Sequence, residues 1–323
     1  MRHILRRTGM IMLAGGLTAV LVGPFLIPVP PLRGTFPPED LADDDSEFMD
    51  ICGVNIHLKK KGQGKPVFLL LHGFAASLYS WQRVMEPFSQ LGSVIAYDRP
   101  GFGLSEHPLH WQGKNPYRAD TQVDLITGLL DHLQVDKAIL VGSSAGGSVA
   151  MRVALAYPER VACLVLVDAA VYVGSHTPEW LHPLLSTPQM RHLGPLIARQ
   201  ISRLGFRLID MAWHDPSRVP AEMLDLYQKP YQVENWDKAL WEFTQANQVN
   251  DLPLHVNEIN QPTLVITGDD DRIVPTADSI RLAGELPNAS LQVIEDCGHL
   301  PHEEQPAAFM EAVRNFIETI PQG

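Results

Sequence analysis

A serine lies between two glycines in the segment GSSAG at residues 142–146, which matches the pattern Gly-x-Ser-x-Gly. In a sharp turn from a strand into a helix, this pattern lifts a serine hydroxyl clear of the sheet, where it can attack a carbonyl. An apolar run before the segment predicts the strand, and residues 148–157 after it predict the helix. Ser144 holds the central position and is the predicted nucleophile, whereas Ser143 occupies the variable position before it.

Acyl transfer also needs two backbone N–H groups aimed at the oxygen that becomes negative in the transition state. The first predicted donor is the N–H of Ala145, directly after the nucleophile. The second is the N–H of Phe74, in the loop that follows the apolar run of residues 67–71. His72, in the same loop, is predicted to stabilise the loop rather than to act as a base.

A serine hydroxyl is a weak nucleophile until a base removes its proton. Among the 13 histidines, His299 follows the last predicted strand and precedes the final helix, so its loop returns to the sheet edge that carries Ser144. His302 is the second choice for the base. The spacing of these two histidines and Glu303 also suggests a metal site, but no helix and no third ligand accompany it, so no metal is predicted.

The base needs a carboxylate that holds its tautomer and stabilises its protonated form. Three consecutive aspartates follow another apolar run, and the residues alone do not choose among Asp269, Asp270 and Asp271. Asp168, at the end of an earlier predicted strand, is the other acid in a suitable position, although local hydrogen bonding is its expected role. The order serine, aspartate, histidine along the chain fits a hydrolase with this kind of elbow.

The apolar runs that precede these residues alternate with amphipathic segments from residue 48 onwards. Continuous apolar runs such as residues 67–71 and 163–167 are typical of strands that are buried on both faces. Residues 121–133 place their apolar side chains on one helical face. Alternating strands and helices predict an α/β protein with a mostly parallel, doubly wound sheet.

The alternation stops between residues 170 and 260, where prolines and helix-like segments replace the strands. Four of the six tryptophans lie in this stretch. We predict a helical cap over the C-terminal edge of the sheet, in which most aromatic side chains pack the cap and a few line a substrate pocket. The candidates for the pocket are Trp180, Trp213, Tyr227 and Trp241.

The first 33 residues differ from the rest of the chain. No charged residue occurs from residue 8 to residue 32, and three arginines precede this run. An apolar helix over residues 8–27 is long enough to span a bilayer, and the positive-inside rule places the N-terminus in the cytoplasm and the catalytic part on the outer side. The sequence therefore predicts a single-pass membrane anchor, with a cleaved signal peptide and secretion as the alternative.

The composition excludes several other classes of protein. A net charge of −12 at pH 7 makes the chain a poor partner for nucleic acids or anionic lipid surfaces. Cys52, Cys163 and Cys297 show no C-x-x-C pairing, so a zinc ribbon or a disulfide scaffold is not predicted. Free buried thiols are expected, and a single bridge such as one between Cys52 and Cys163 stays open. No nucleotide-binding loop is found, and no cofactor is predicted.

Together these residues resemble the α/β-hydrolase superfamily over about residues 48–320. The resemblance rests on the segments LLLHGF, AYDRPGFGLS, VGSSAGG, GDDDRIVP and CGHLPHEEQP. It implies the α/β-hydrolase fold, with the helical cap inserted before the strand that carries the acid. The predicted organisation is an anchor at residues 1–33, a linker at 34–47, a core in two parts at 48–169 and 261–320, and the cap at 170–260.

The resemblance also implies roles for individual residues. The family's Gly-x-x-Asp-x-x-Val loop supplies the catalytic acid, which falls on Asp271. The segment that contains Asp98, Arg99 and Gly101 is structural in the family and is expected to have a scaffold role here.

The residue types at two positions narrow the predicted reaction. The epoxide hydrolases and haloalkane dehalogenases that resemble this scaffold use aspartate at the nucleophile position. Ser144 therefore argues against both activities. Carbon–carbon bond hydrolases of the family often have tryptophan after the catalytic histidine, whereas Leu300 follows His299 here.

The prediction is a membrane-anchored serine hydrolase, carboxylesterase-like or lipase-like, that cleaves esters with an apolar acyl or aryl group through an acyl-enzyme. The alternatives are an amide, lactone or carbon–carbon bond hydrolase, or a haloperoxidase-like enzyme, on the same triad. A non-catalytic ligand-binding protein on the hydrolase scaffold is the alternative from another class.

Overall fold

The computed structural model describes residues 20–174, 179–246 and 250–320 of the chain. Within them a single eight-stranded sheet forms the centre of the molecule. Its strands are β1 (Glu47–Ile51), β2 (Val54–Lys61), β3 (Val67–Leu71), β4 (Ser93–Tyr97), β5 (Ala138–Ser143), β6 (Val161–Val167), β7 (Thr263–Gly268) and β8 (Ala289–Ile294). The order across the sheet is β1-β2-β4-β3-β5-β6-β7-β8. β2 is antiparallel to both of its neighbours, and the other neighbouring strands are parallel.

Helices cover both faces of this sheet, and further helices form the long chain connection from β6 to β7. In chain order they are α1 (Gln82–Ser89), α2 (Ala119–His132), α3 (Ala145–Ala156), α4 (His182–Leu185), α5 (Pro188–Ala212), α6 (Ala221–Gln228), α7 (Trp236–Ala246), α8 (Thr276–Glu285), α9 (Pro301–Glu304) and α10 (Pro306–Thr319). The predicted mostly parallel α/β sheet is confirmed, because strands and helices alternate along most of the described chain.

The central strands are apolar throughout because they are buried on both faces. In β3, Phe68 and Leu70 pack with α1 and α10 on one face of the sheet. Leu69 and Leu71 point the other way and pack with α2 and α3. All four side chains are fully buried. Burying a large apolar side chain contributes roughly 1.5–3 kcal/mol, so these two layers fix the strand ends on which the polar residues lie.

The helices α4–α7 form the cap. They lie between the end of β6 at Val167 and the start of β7 at Thr263. The long helix α5 packs along α7, and the approach is close because Gly194 has no side chain. A Cβ atom at Gly194 would lie 2.3 Å from the indole ring of Trp241.

The N-terminal segment that the structure describes corrects the predicted anchor. Residues 23–26 form a short 3-10 helix, and the backbone is extended at Ile27, because prolines at positions 24 and 28 interrupt an α-helix. His192 of α5 lies 2.9 Å from the carbonyl oxygen of Ile27 through its Nε2 atom. Across residues 20–174, 179–246 and 250–320, no helix is both long and apolar enough to span a bilayer. The predicted single-pass anchor, and the outer-side location derived from it, are therefore wrong for the described chain; residues 1–19 lie outside it.

Residues 34–47, predicted to be a linker, contact both the core and the cap. The Asp43 carboxylate accepts hydrogen bonds from Lys59 of β2, at 2.6 Å, and from Lys229 of the cap, at 2.5 Å. Phe36 forms an isolated bridge with Val233 of the cap. The segment thereby connects β2 to the cap.

All three cysteines lie within the described residues and are free thiols. Cys163 and Cys297 are buried as predicted, whereas Cys52 is exposed in the turn between β1 and β2. The bridge left open between Cys52 and Cys163 is not formed.

Candidate active site

Ser144 lies in the turn that joins β5 to α3. Its backbone has φ of 51° and ψ of −119°, a left-handed conformation that costs a residue other than glycine on the order of 1–3 kcal/mol. The segment after β6 holds this turn in place. The N–H of Ser144 donates to the carbonyl of Val167 at 2.8 Å, and the carbonyl of Ser144 accepts from the N–H of Ala170 at 3.1 Å.

The glycines of the motif allow the chain to pack closely around this turn. A Cβ atom at Gly146 would lie 2.2 Å from the carbonyl oxygen of Leu71, at the end of β3. A Cβ atom at Gly142 would lie 2.6 Å from the carbonyl oxygen of Gly146. Both distances are far below van der Waals contact. Only glycine at these positions therefore lets the start of α3 approach β3 and the loop of residues 72–76.

His299 and Asp271 form a buried pair opposite the serine turn. The Nδ1 atom of His299 lies 2.7 Å from Oδ2 of Asp271. The other oxygen of Asp271 accepts the backbone N–H groups of Ile273 and Val274 at 2.8 and 2.9 Å. An ionised carboxylate can only accept hydrogen bonds, so Nδ1 carries the proton and Nε2 is left as the basic nitrogen.

The structure distinguishes the three consecutive aspartates. Only Asp271 contacts His299, whereas Asp270 binds His214 and Arg272 near the surface. Asp269 accepts the backbone N–H of Cys297 at 3.2 Å. The ambiguity of the sequence is therefore removed by the turn after β7, which points the three side chains in different directions.

The two other histidines considered in the sequence are placed differently from His299. The Nε2 atom of His302 lies 3.0 Å from Ser80 Oγ, its ring packs on Trp81, and burial lowers its pKa to about 3. His72 bonds locally, because its Nδ1 atom lies 2.8 Å from the Gly73 carbonyl and its Nε2 atom accepts the N–H of Arg99 at 3.0 Å. Neither ring lines the cavity described next.

A cavity of about 210 Å³ opens between the serine turn and the cap. Ser144 and His299 both line it, so the structure brings the predicted nucleophile and base to one space. Its described lining is mostly apolar, with a few polar side chains, and consists of Gly73, Phe74, Ala75, Ala76, Ser80, Ser143, Ser144, Leu208, Ile209, Ala212, Tyr227, Tyr231, Ile273, His299, Leu300 and Glu303.

The predicted oxyanion donors belong to the cavity wall and to the start of α3. Phe74 is part of the cavity lining. Ala145 is the first residue of α3, and the first N–H groups of a helix have no partner within the helix. The oxyanion role of these two N–H groups stays a prediction.

Of the four aromatic candidates in the cap, only Tyr227 lines the cavity. Trp180 is 75% exposed, and Trp213 is buried at the end of α5 with 1% exposure. Trp241 packs against Gly194 between α5 and α7. The other three candidates lie outside the lining of this cavity, and helix packing or exposure to solvent accounts for their positions.

Glu303 is a buried acid in the cavity wall that the sequence argument did not assign. Its carboxylate accepts hydrogen bonds from the hydroxyls of Ser80 and Tyr227. Burial raises the pKa of Glu303 to about 7. No lysine or arginine is among the described residues that line the cavity. Arg83, outside this lining, donates to the backbone carbonyl of Glu303, and its charge partly offsets the effect of burial on the pKa.

Glu304 was also not assigned from the sequence. It joins the cap to the loop of residues 295–300, which carries His299 and is called the histidine loop below. Its carboxylate accepts the backbone N–H groups of Gly298, His214 and Asp215 at 2.8, 2.9 and 3.0 Å. The N–H of His299 itself donates to the carbonyl of Ala212, the last residue of α5, at 2.6 Å. The position of the predicted base therefore depends on the cap. Adjacent acids in the first turn of a helix are also common on solvated surfaces, so the sequence carried no distinctive signal of this contact.

Among the described residues, the cluster that could hold a metal ion includes the His299–Asp271 pair. One donor atom from each of Asp168, Asp271 and His299 lies within 4.8 Å of the others. The hydrogen bond between His299 and Asp271 already occupies two of these groups, so acid–base chemistry fits the arrangement better than metal coordination.

The chain belongs to the α/β-hydrolase family, because residues 66–306 match the family model described as the alpha/beta hydrolase fold. The resemblance noted in the sequence is thereby confirmed. Uncharacterized hydrolase YugF of Bacillus subtilis (strain 168) is 32% identical over 83% of this chain and 96% of its own length.

Two further relatives carry more specific names. The 2-hydroxy-6-oxononadienedioate/2-hydroxy-6-oxononatrienedioate hydrolase of Paraburkholderia phymatum is 31% identical over 82% of this chain and 91% of its own length. The solved structure of a variant meta-cleavage product hydrolase from Pseudomonas fluorescens IP01 is 27% identical, with a TM-score of 0.67, and covers 84% of this chain and 97% of its own.

Proposed function

We propose that this chain is a serine hydrolase with Ser144 as nucleophile, His299 as base and Asp271 as the acid that orients it. The observation that carries the proposal is the cavity whose wall holds Ser144 and His299 together, with His299 bonded through Nδ1 to Asp271 at 2.7 Å. Nucleophile, base and orienting acid are the three roles that acyl transfer requires.

The proposed reaction follows from this arrangement. His299 Nε2 takes the proton of Ser144 as Oγ attacks a carbonyl carbon. The N–H groups of Phe74 and Ala145 stabilise the oxyanion, and such a donor is worth about 10²- to 10³-fold in rate. His299 then gives the proton to the leaving group, which departs and leaves an acyl-enzyme on Ser144. A water molecule, deprotonated by His299, attacks the acyl-enzyme; the bond to Ser144 Oγ breaks, His299 returns the proton to Oγ, and a carboxylic acid is released.

The bond that we propose is cleaved is a carbon–carbon bond next to a ketone. The relative from Paraburkholderia phymatum is named for the hydrolysis of a 2-hydroxy-6-oxo dienedioate. The relative from Pseudomonas fluorescens is named a meta-cleavage product hydrolase. These names favour the carbon–carbon alternative of the sequence analysis over its first choice, an ester. In this reaction the electron pair of the broken bond leaves on carbon as an enolate, and this enolate takes the proton from His299.

A carboxylic ester is the second candidate, and the cavity lining favours it. Leu208, Ile209 and Leu300 make much of the wall apolar. A dienedioate carries two carboxylates, yet the described lining offers an acid, Glu303, and no lysine or arginine to meet them. A neutral ester with an apolar acyl or aryl group would not need such a partner.

The two candidates can be separated with one pair of proteins, the full chain and its Ser144→Ala variant. Each protein is assayed with 2-hydroxy-6-oxo dienoates, whose cleavage is measured as a loss of visible absorbance. Each is also assayed with p-nitrophenyl esters from acetate to palmitate. Dienoate cleavage that Ser144→Ala abolishes is the expected result. Cleavage of the esters alone would select the second candidate. Equal activity of the two proteins on every substrate would contradict the proposed nucleophile.

A further inference from the structure

A second buried acid, Asp168, lies beside the proposed triad, and the mechanism above gives it no part. It follows β6, and its side chain is fully buried. One of its carboxyl oxygens lies within 4.8 Å of both an oxygen of Asp271 and a ring nitrogen of His299. Neither of its oxygens makes a hydrogen bond of regular geometry in the described structure, although Thr267, Gly268 and Asp271 lie near enough to shift its pKa.

The backbone holds this side chain in place. Asp168 has φ of 45°, in the left-handed region that residues other than glycine rarely adopt. Its N–H donates to the carbonyl of Ile266 in β7 at 2.9 Å. A buried acid that is held by a strained backbone against His299 and Asp271, without a hydrogen bond of regular geometry, needs an explanation in terms of the site.

Two buried carboxyl groups at this distance do not both ionise, because their charges repel in a medium of low dielectric constant. Asp271 is the one stabilised as an anion, since it accepts N–H groups from Ile273, Val274 and His299. Asp168 has only the Thr267 hydroxyl and the Gly268 N–H near its carboxyl group, and their smaller effect lowers its pKa. Burial and, after it, the charge of Asp271 raise the pKa of Asp168 well above its ordinary value.

The other groups that face Asp168 do not supply a cation. Thr267 of β7 offers a hydroxyl, and Cys297 of the loop after β8 offers a thiol whose pKa is raised by burial and by nearby acids, which include Asp168. His299 already donates its Nδ1 proton to Asp271. Thr267 and Gly268 favour the ionised form of Asp168, but burial and the neighbouring Asp271 outweigh them, so Asp168 is held as a neutral acid with an O–H group.

We propose that Asp168 is a positioning residue, a neutral acid that donates its O–H to Asp271 and replaces Asp271 as the partner of His299 when Asp271 loses its charge. A carboxylate has about four acceptor positions, and the N–H groups of Ile273, Val274 and His299 use three of those on Asp271. One position remains for Asp168. The inference rests on the proposed Ser144–His299–Asp271 triad.

The replacement has a direct physical cause. In an Asp271→Asn variant the negative charge that opposes ionisation of Asp168 is gone. Asp168 then releases its proton to solvent at a lower pH, and its carboxylate lies within 4.8 Å of the His299 ring. This carboxylate can stabilise the protonated imidazole that forms when Ser144 attacks.

A double-mutant cycle on the full chain tests the proposal with Asp168→Asn, Asp271→Asn and the variant that carries both changes. The readouts are turnover of the substrate found above and the rate at which a fluorophosphonate labels Ser144. Asp168→Asn should stay within about three-fold of the unmodified protein, because its amide N–H replaces the O–H. Asp271→Asn should lose about 10²-fold, and the double variant about 10⁴-fold, the loss typical of a triad without its acid.

The pH profile separates this role from a structural one. The residual rate of Asp271→Asn should increase as pH rises, because only the ionised form of Asp168 can assist His299. The double variant should lack this rise. Equal rates for Asp271→Asn and the double variant at every pH would overturn the proposal, as would a loss in Asp168→Asn as large as that in Asp271→Asn.

Two controls keep these outcomes interpretable. Circular dichroism and thermal unfolding report whether each variant is folded. If Asp168→Asn does not fold, Asp168→Ser replaces it, because serine keeps a hydroxyl donor but cannot ionise. Ser144→Ala is measured in parallel. Labelling and turnover that persist in Ser144→Ala would contradict the proposed triad itself, and this failure differs from a failure of the Asp168 cycle.

Discussion

The serine side and the histidine side of the cavity are held by different kinds of interaction. Ser144 is fixed by the backbone: a left-handed turn, two tightly packed glycines and hydrogen bonds to the segment after β6. His299 is fixed by side chains and by the cap, through Asp271, Glu304 and the carbonyl of Ala212. The proposed nucleophile is therefore held by the core, whereas the position of the proposed base depends on how the cap is docked.

The largest effect is expected from a change in the core. Gly146→Val should abolish activity and lower the free energy of unfolding by more than about 3 kcal/mol, because a Cβ atom there would lie 2.2 Å from Leu71 O. Gly284→Ala is the matched control, since a Cβ atom at Gly284 meets nothing within 4 Å. It should leave activity unchanged and increase stability by up to about 1 kcal/mol. Urea unfolding and turnover measure both; a folded, active Gly146→Val would refute the claim of a tightly packed turn.

A smaller effect is expected where the cap meets the histidine loop. Glu304→Gln removes the charge that three backbone N–H groups share, and kcat should fall about 10- to 100-fold, because a small displacement of a catalytic group is costly. KM should change little, since Glu304 does not line the cavity. Glu311→Gln, an exposed position on α10, is the control and should have no effect. A kcat unchanged in Glu304→Gln would mean that the cap does not position the base.

The cavity wall should also select substrates by charge. Glu303 has a pKa raised to about 7 by burial, so it is an anion above that pH and neutral below it. The ratio of kcat/KM for an anionic substrate to that for its neutral analogue should therefore rise about ten-fold, or about 1.4 kcal/mol, as pH falls through 7. In Glu303→Gln the ratio should not vary with pH. A ratio with the same pH dependence in both proteins would exclude Glu303 as its source.

The smallest effect is expected on the outer surface of the cap. Trp180 is 75% exposed, so Trp180→Ala should change kcat/KM by less than about two-fold, as is usual for surface substitutions. Tyr227→Phe is the comparison within the cap, because it removes a hydroxyl that donates to Glu303 in the cavity wall. Its KM should change more than that of Trp180→Ala. The opposite order would mean that the substrate reaches the outer face of the cap.

The same division explains what the sequence could predict. The strand–turn–helix around Ser144 is a local pattern, and the apolar runs that form the sheet are continuous in sequence. Both were therefore visible in the sequence without any knowledge of tertiary contacts. The order of strands and helices was sufficient to predict the α/β sheet, which the structure confirms.

The contacts of the cap were not visible in the same way. Four aromatic residues looked equivalent in the sequence, yet only Tyr227 lines the cavity, because the packing of α5 against α7 decides which side chains are enclosed. Glu303 and Glu304 are adjacent in sequence but face the cavity and the cap backbone, respectively. The choice of Asp271 came from the family resemblance, since a turn of three identical residues contains no information on their directions.

The most direct test of the central claim is to identify the residue that a fluorophosphonate probe modifies in the full chain, by intact mass and peptide mapping. We predict one probe per chain, attached to Ser144, with no label on Ser144→Ala and full label on Ser143→Ala. Slow labelling of His299→Ala would be expected, because the base is missing. A probe attached to Ser143 or to another residue, or undiminished labelling of Ser144→Ala, would contradict the account.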